Sequence, residues 1–340
     1  MRLPATGGTA PKAFFLPRPA LSGRGFFIAL CAALLPGAGA ALTLDLPVAC
    51  TLGETCYIQH YLDRDPGPGV VDYGCGSATY EGHDGTDFAL PTRAAMATGV
   101  AVIAAAPGRV RAVRDGEADG ALLSGESVAG KECGNGVVID HAEGYQTQYC
   151  HLKRGSVAVK PGEQVAAGAR LGLIGLSGAA EFPHLHLTVR KDGHEIDPFH
   201  PGAALTCDTP PADGLWRAPL PYVGGGLLQA GLAAAPPDFD AVKAGLAAPA
   251  TLPADAPLLL WAYGYESRAG DLLTLRLTGP GGFVFDHQTR LEKPQALFYR
   301  YGGKRAPAGG LTPGPYSAEV VLTREGREIG RRQLGVEISR

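Results

Sequence analysis

The sequence predicts an all-β protein in two parts, and three observations carry that expectation. Glycine (49 of 340 residues) and proline (28) interrupt the chain at short intervals, which multiplies turns and leaves few long helical stretches. Between the turns, apolar and polar residues alternate in runs of strand length. After Cys207 the composition shifts to proline, alanine and glycine, and alternation resumes only near Leu258, which separates two folded parts.

Residues 1–40 read as a secretory signal peptide. Arg2, Lys12, Arg18 and Arg24 supply positive charge with no acidic residue, residues 26–35 form a short apolar run, and Ala38-Gly39-Ala40 has the small-x-small form of a cleavage site. The run is too short to span a bilayer, and Leu30 before Cys31 argues against a lipid-modified cysteine. Without this segment the 30 basic residues fall to 26 against 33 acidic ones, a formal charge of -7, which speaks against a nucleic-acid partner. Six of the seven cysteines remain, an even number in an exported chain, and this favours disulfides over free thiols.

In residues 41–207, Cys50 and Cys56 can close a small local loop. Strands are expected at 100–106 and 109–113 about the Pro107-Gly108 turn, and 115–131 is a polar, glycine-rich insertion. Residues 136–141 and 145–151 flank Ala142-Glu143-Gly144 as a β-hairpin, which sets Cys133 close to opposite Cys150. That would leave Cys75 with Cys207, although other connectivities stay open. Short strands are expected at 161–165 and 168–174, then a loop of small residues at 175–181. Residues 208–257 read as a linker with one helical piece around 239–246. In 258–340, Leu273, Leu275 and Leu277, then Tyr316, Ala318, Val320 and Leu322, then Leu334, Val336 and Ile338 alternate with polar residues, the pattern of a small immunoglobulin-like β-sandwich.

The chemistry concentrates in residues 182–190, Phe-Pro-His-Leu-His-Leu-Thr-Val-Arg. Residues two apart on a strand share a face, so His184 and His186 point one way while Leu185, Leu187 and Val189 point into a core. Upstream, Gly82-His-Asp-Gly-Thr-Asp87 sets His83 and Asp87 four apart, and Tyr149-Cys-His-Leu brings His151 within a second strand-like run. Imidazole and carboxylate are donors that zinc prefers. His-x-x-x-Asp, then Tyr-x-His-Leu, then His-x-His, with Gly-x-Asp-Phe-Ala-x-Pro after the first histidine, resembles the lysostaphin-type (LytM-like) zinc metallopeptidases over roughly residues 42–207.

The resemblance implies an antiparallel β peptidase domain of the duplicated-hybrid-motif type and cleavage of peptide bonds in peptidoglycan. It implies zinc ligands at His83, Asp87 and His186, and it matches His151 and His184 to the family's two non-ligand histidines. Three protein ligands leave a fourth zinc position open to water, as catalytic sites require. His151 or His184 is then expected to take the water's proton. No His-Glu-x-x-His run offers a glutamate for that task, because His194-Glu195 is followed by Ile-Asp-Pro.

Other candidates are read more plainly. His141 is expected to be structural or adjacent to the site, His60, His194, His200 and His287 to lie on the surface or in loops, and Asp84 to point away from the ligands. The alternative function is a non-catalytic LytM-like module that binds cell wall or activates another hydrolase. Retention of all five motif residues favours the enzyme, acting in the periplasm or as a secreted protein. The C-terminal sandwich, without clustered His, Asp or Glu, is expected to contribute no chemistry. It is expected instead to bind cell wall or a protein partner, so its removal should spare hydrolysis of small peptides.

Overall fold

The computed structural model describes residues 42–202, 207, 214–247 and 252–339; the expected signal peptide lies outside them. The first part contains β1 (Tyr57–His60), β2 (Thr86–Ala89), β3 (Ala101–Ile103), β4 (Gly108–Arg114), β5 (Asn135–Asp140), β6 (Tyr145–Leu152), β7 (Gln164–Val165), β8 (Arg170–Leu173), β9 (His184–Lys191) and β10 (His194–Glu195). One eight-stranded sheet runs β1-β2-β9-β6-β5-β4-β7, with β10 also paired to β9, while β3 and β8 form a separate pair. Every pairing within these sheets is antiparallel. A short helix, α1 (Arg93–Ala97), begins where the Thr92 side chain accepts from the Ala95 N–H.

The alternation in β9 does what period-two patterning requires: Leu185, Leu187 and Val189 enter a core with Phe88, Ile139 and Tyr149, and the histidines take the other face. The β5–β6 hairpin turns through residues 142–144 as expected, with Asp140 opposite Gln146 and Glu143 in the left-handed region (φ 57°). Disulfides join Cys50 to Cys56, Cys75 to Cys207 and Cys133 to Cys150, the pairing anticipated from the hairpin and the local spacing.

Within the stretch read as a linker, the described residues 214–247 and 252–257 include a strand and a helix. Leu215 and Trp216 belong to the first core, where the Leu44 N–H donates to the Leu215 carbonyl. Strand β11 (Gly226–Ala233) pairs with β12 (Leu258–Ser267), and α2 (Phe239–Ala244) is capped by Asp238 and ends at Gly245. The sequence hides β11 because Gly226, Ala230, Gly231 and Ala233 have little side chain, and cross-strand pairing rather than propensity holds them.

The remaining strands are β13 (Leu272–Gly279), β14 (Phe283–Arg290), β15 (Gln295–Lys304), β16 (Gly314–Arg324) and β17 (Arg327–Ile338). Sheets β11-β12-β15 and β14-β13-β16-β17 enclose one core, as the sandwich expectation required. Leu273, Leu275, Leu277, Val320 and Leu322 fill it from one sheet and Leu258, Leu260, Ala262 and Phe298 from the other. The opposite face of β12 is also covered: Trp261 and Tyr263 pack with Val242 of α2, and Tyr265 packs on Tyr57 of β1, ring centroids 4.4 Å apart.

Candidate metal centre

Strand register builds the site as a row across four strands. His60 of β1 lies opposite Asp87 of β2, Asp87 opposite His186 of β9, and His186 opposite Cys150 of β6. Directly opposed residues share a face at close range, so one row of the sheet is polar and buried. His83 joins it from the loop before β2. Gly85 permits that loop to lie so close, since a Cβ there would stand 2.6 Å from His186 Nε2.

His83, Asp87 and His186 converge. His83 Nε2 lies 3.1 Å from His186 Nδ1 and 3.2 Å from Asp87 Oδ1, and His186 Nδ1 lies 2.9 Å from that oxygen. Ligand atoms about 2.0–2.1 Å from a tetrahedral zinc stand about 3.3 Å apart, so this triangle has the size and the donor chemistry of three zinc ligands. Each residue's remaining polar atom is engaged elsewhere. His83 Nδ1 donates to the Tyr61 carbonyl at 2.6 Å, and His186 Nε2 reaches Asp84 Oδ1 at 3.0 Å. Asp87 Oδ2 meets His60 Nδ1 at 3.1 Å. Such outer contacts fix the tautomer and orientation that ligation needs.

His151 and His184 stand beside the triangle, 4.6 Å apart between ring centroids. His184 Nδ1 donates to the Phe182 carbonyl and His151 Nδ1 to the Ser177 carbonyl, both at 2.8 Å, leaving each Nε2 free of its proton. His184 Nε2 lies 3.5 Å from Asp87 Oδ1. The register of β5 and β6 slips where Asn135 faces Leu152 but Val137 faces Tyr149, and His151 there adopts a left-handed φ of 63°. A bulge of this kind re-aims a side chain out of strict alternation. His151 thus lines an open groove of about 320 Å³, with Tyr80, Glu132 and Gln148 around it.

Electrostatics divides these histidines. Burial, reinforced by the neighbouring imidazoles of His184 and His186, pushes His151 well below its ordinary pKa, and burial also lowers His184. Burial acts the same way on His60 and His186, but paired carboxylates outweigh it and raise each to about 9. Asp87 is buried too, yet the histidines around it hold its pKa well below the usual carboxylate range.

Two expectations need correction. His60 is not a surface histidine: it is 8% exposed and held between Asp87 and Glu266. Asp84 does not point away, because the chain turns at Gly85 and sends its carboxylate to His186. No local sequence pattern marks the Tyr61 and Ser177 carbonyls or Glu266, and only the register of β1 on β2 draws His60 in. His141 lies outside the triangle, bonded to the Pro107 carbonyl and Thr147 Oγ1. His194 and His287 are exposed.

One histidine and one carboxylate on an antiparallel sheet, a second histidine from the adjoining loop, and two further imidazoles beside them, one of which lines a groove, make an arrangement of the metallohydrolase class. Residues 81–198 match the model of peptidase family M23, and the resemblance to lysostaphin-type peptidases is borne out over that segment. The chain is 30% identical over 128 residues to the peptidoglycan DD-endopeptidase ShyA of Vibrio cholerae, covering 38% of this chain and 25% of that protein. It is 32% identical over 133 residues to ShyB, a peptidoglycan DD-endopeptidase of the same organism, covering 39% and 25%. The match thus spans about a quarter of the length of these relatives. Among solved structures, the catalytic domain of the prophage-encoded M23 protein EnpA from Enterococcus faecalis aligns with a TM-score of 0.31 at 24% identity, over 44% of this chain and 94% of that one.

Proposed function

We propose that this chain is an exported zinc metalloendopeptidase that hydrolyses peptide bonds in peptidoglycan stem peptides or cross-links, in the periplasm or outside the cell. The observation that carries this reading is the triangle of His83 Nε2, Asp87 Oδ1 and His186 Nδ1, whose edges suit one zinc ion. The M23 match over residues 81–198 and the names of the two Vibrio relatives support the substrate class.

In this reading His83, Asp87 and His186 hold zinc, which supplies Lewis acidity toward the scissile carbonyl and the attacking water. His151, lining the groove with its Nε2 unprotonated, takes the proton of that water. The imidazolium so formed delivers the proton to the leaving amine, as microscopic reversibility allows. His184, beside both His151 and Asp87, orders the same water from the other side. The Cys133–Cys150 disulfide holds β6 next to this groove, a bond that suits an oxidising compartment.

The test is digestion of purified cell walls by the zinc-loaded protein, with products identified by mass spectrometry. New amino termini within stem peptides or cross-links are expected. Intact peptides alongside stoichiometric zinc would leave a binding module in place of the enzyme.

A further inference from the structure

The row of buried polar residues does not stop at β1. His60 Nε2 lies 3.5 Å from Glu266 Oε1 in β12, so a residue of the C-terminal sandwich faces the outer partner of Asp87. Both side chains are shielded, 10% and 12% exposed. The sequence expectation assigns this part no chemistry of its own, and Glu266 adds none directly, but it does come within reach of the site's outer contacts.

Local structure accounts for the reach of Glu266. Tyr265 and Glu266 both contact β1, Tyr265 through the Tyr57 ring and Glu266 by accepting from Gln59 Nε2 at 3.1 Å. Regular alternation would send neighbouring residues to opposite faces. Glu266 escapes it with a left-handed backbone (φ 46°), a conformation that disfavours a glutamate unless its surroundings enforce it. Arg324 enforces it: its guanidinium donates to the Glu266 carbonyl at 2.8 Å and to the Gly224 carbonyl at 2.6 Å, and is itself gripped by the buried Asp271 at 2.8 Å.

We propose that Glu266 is a positioning residue of the metal centre, acting through His60 to hold Asp87 so that one oxygen faces the ligand triangle. The inference rests on the zinc reading above. His60 occupies Asp87 Oδ2, which commits Oδ1 to His83 and His186, and Glu266 fixes the far end of the His60 ring. Carboxylate–histidine contacts behind a ligand typically change metal affinity about 10–100-fold when removed. The sandwich is thereby part of the site's construction.

The experiment measures Zn²⁺ affinity of the full mature chain by competition with a chromophoric chelator, and the visible spectrum of the Co²⁺-substituted protein. Thermal unfolding of the metal-free forms reports folding. Glu266→Ala and His60→Ala should each weaken Zn²⁺ binding about 10–100-fold and alter the Co²⁺ bands, the double variant no more than either alone, with Glu266→Asp intermediate. Gln59→Ala, which cuts the other contact of Glu266 with β1 but leaves His60, should bind Zn²⁺ as the parent does. Parent-like affinity in Glu266→Ala, or equal weakening in Gln59→Ala, reduces Glu266 to a strut between the two parts and overturns the proposal. Failure of the parent chain to take up stoichiometric Zn²⁺ overturns the zinc reading and this inference together, so the two failures are distinguishable.

Discussion

The eight-stranded sheet and the C-terminal sandwich use the same device, alternation with period two, to opposite ends. In β13 the buried alternate positions are Leu273, Leu275 and Leu277, and apolar contact alone suffices there. In β9 the face opposite the leucines carries His184 and His186, also buried, and each needs partners for its ring nitrogens. An apolar core tolerates the loss of one contact at the cost of a cavity, whereas a buried polar row that loses one member leaves another uncompensated. The two regions should therefore fail differently when mutated.

The largest expected effect lies in the triangle. His186→Ala, His83→Ala or Asp87→Ala should abolish stoichiometric zinc and reduce cell-wall hydrolysis to background, read by metal analysis and product release. A His186→Ala protein that keeps both would remove the ligand assignment. Next come His151→Ala and His184→Ala, which should retain zinc and lose about 10²–10⁴-fold in turnover with little change in substrate affinity. Near-native turnover in both variants would break the proposed proton route even with zinc present.

In the sandwich, Leu275→Ala should cost about 2–5 kcal/mol of stability, as loss of a fully buried leucine does, seen as a lowered midpoint in chemical unfolding. Zinc stoichiometry in the folded fraction should not change. If zinc were lost as well while the chain remained folded, the metal centre would be more tightly coupled to the sandwich than the Glu266–His60 contact alone implies.

Metal binding should also depend on pH in the polar region alone. Without metal, His186 sits between Asp84 and Asp87 with its pKa raised to about 9, so below that pH it carries a proton that ligation must displace. Affinity should therefore rise with pH, about tenfold per unit for one displaced proton, and level off near pH 9. Asp84→Asn removes one of the carboxylates that raise this pKa and should move the plateau to lower pH. A flat profile in the parent chain would show that His186 is already deprotonated.

These contrasts explain what was legible in the sequence. The sandwich strands could be read because alternating leucines specify a buried face wherever they lie, and the hairpin could be read because Ala142-Glu143-Gly144 is a turn between two strand-like runs. His83, Asp87, His151, His184 and His186 stood out because spacing and resemblance both mark them. His60 and Glu266 did not: each is one polar residue in an ordinary strand, and its meaning comes from which strand it faces. His60 gains its role only when β1 pairs with β2, and Glu266 only when a left-handed residue turns it toward β1. Pairing between distant segments is not written in local pattern, and β11 was missed for the same reason.

The smallest effect concerns the turns that close the two regions. Each has a glutamate in the left-handed region, Glu143 (φ 57°) between β5 and β6 and Glu325 (φ 51°) between β16 and β17. At the second, Arg324 pairs with Arg327 and Gly326 is also left-handed (φ 78°), so Glu325-Gly326 is a two-residue loop with positive φ at both positions. Asn-Gly is the pair best suited to that geometry, because asparagine enters the left-handed region at lower cost than glutamate. Glu325→Asn should raise stability by several tenths to about 1 kcal/mol, and Glu143→Asn should do likewise at the other turn. Neither should alter zinc affinity. The β16–β17 turn follows directly from Arg324, which clamps the backbone of Glu266, so a change in zinc affinity with Glu325→Asn but not with Glu143→Asn would show that the clamp, and through it the metal centre, senses the turn.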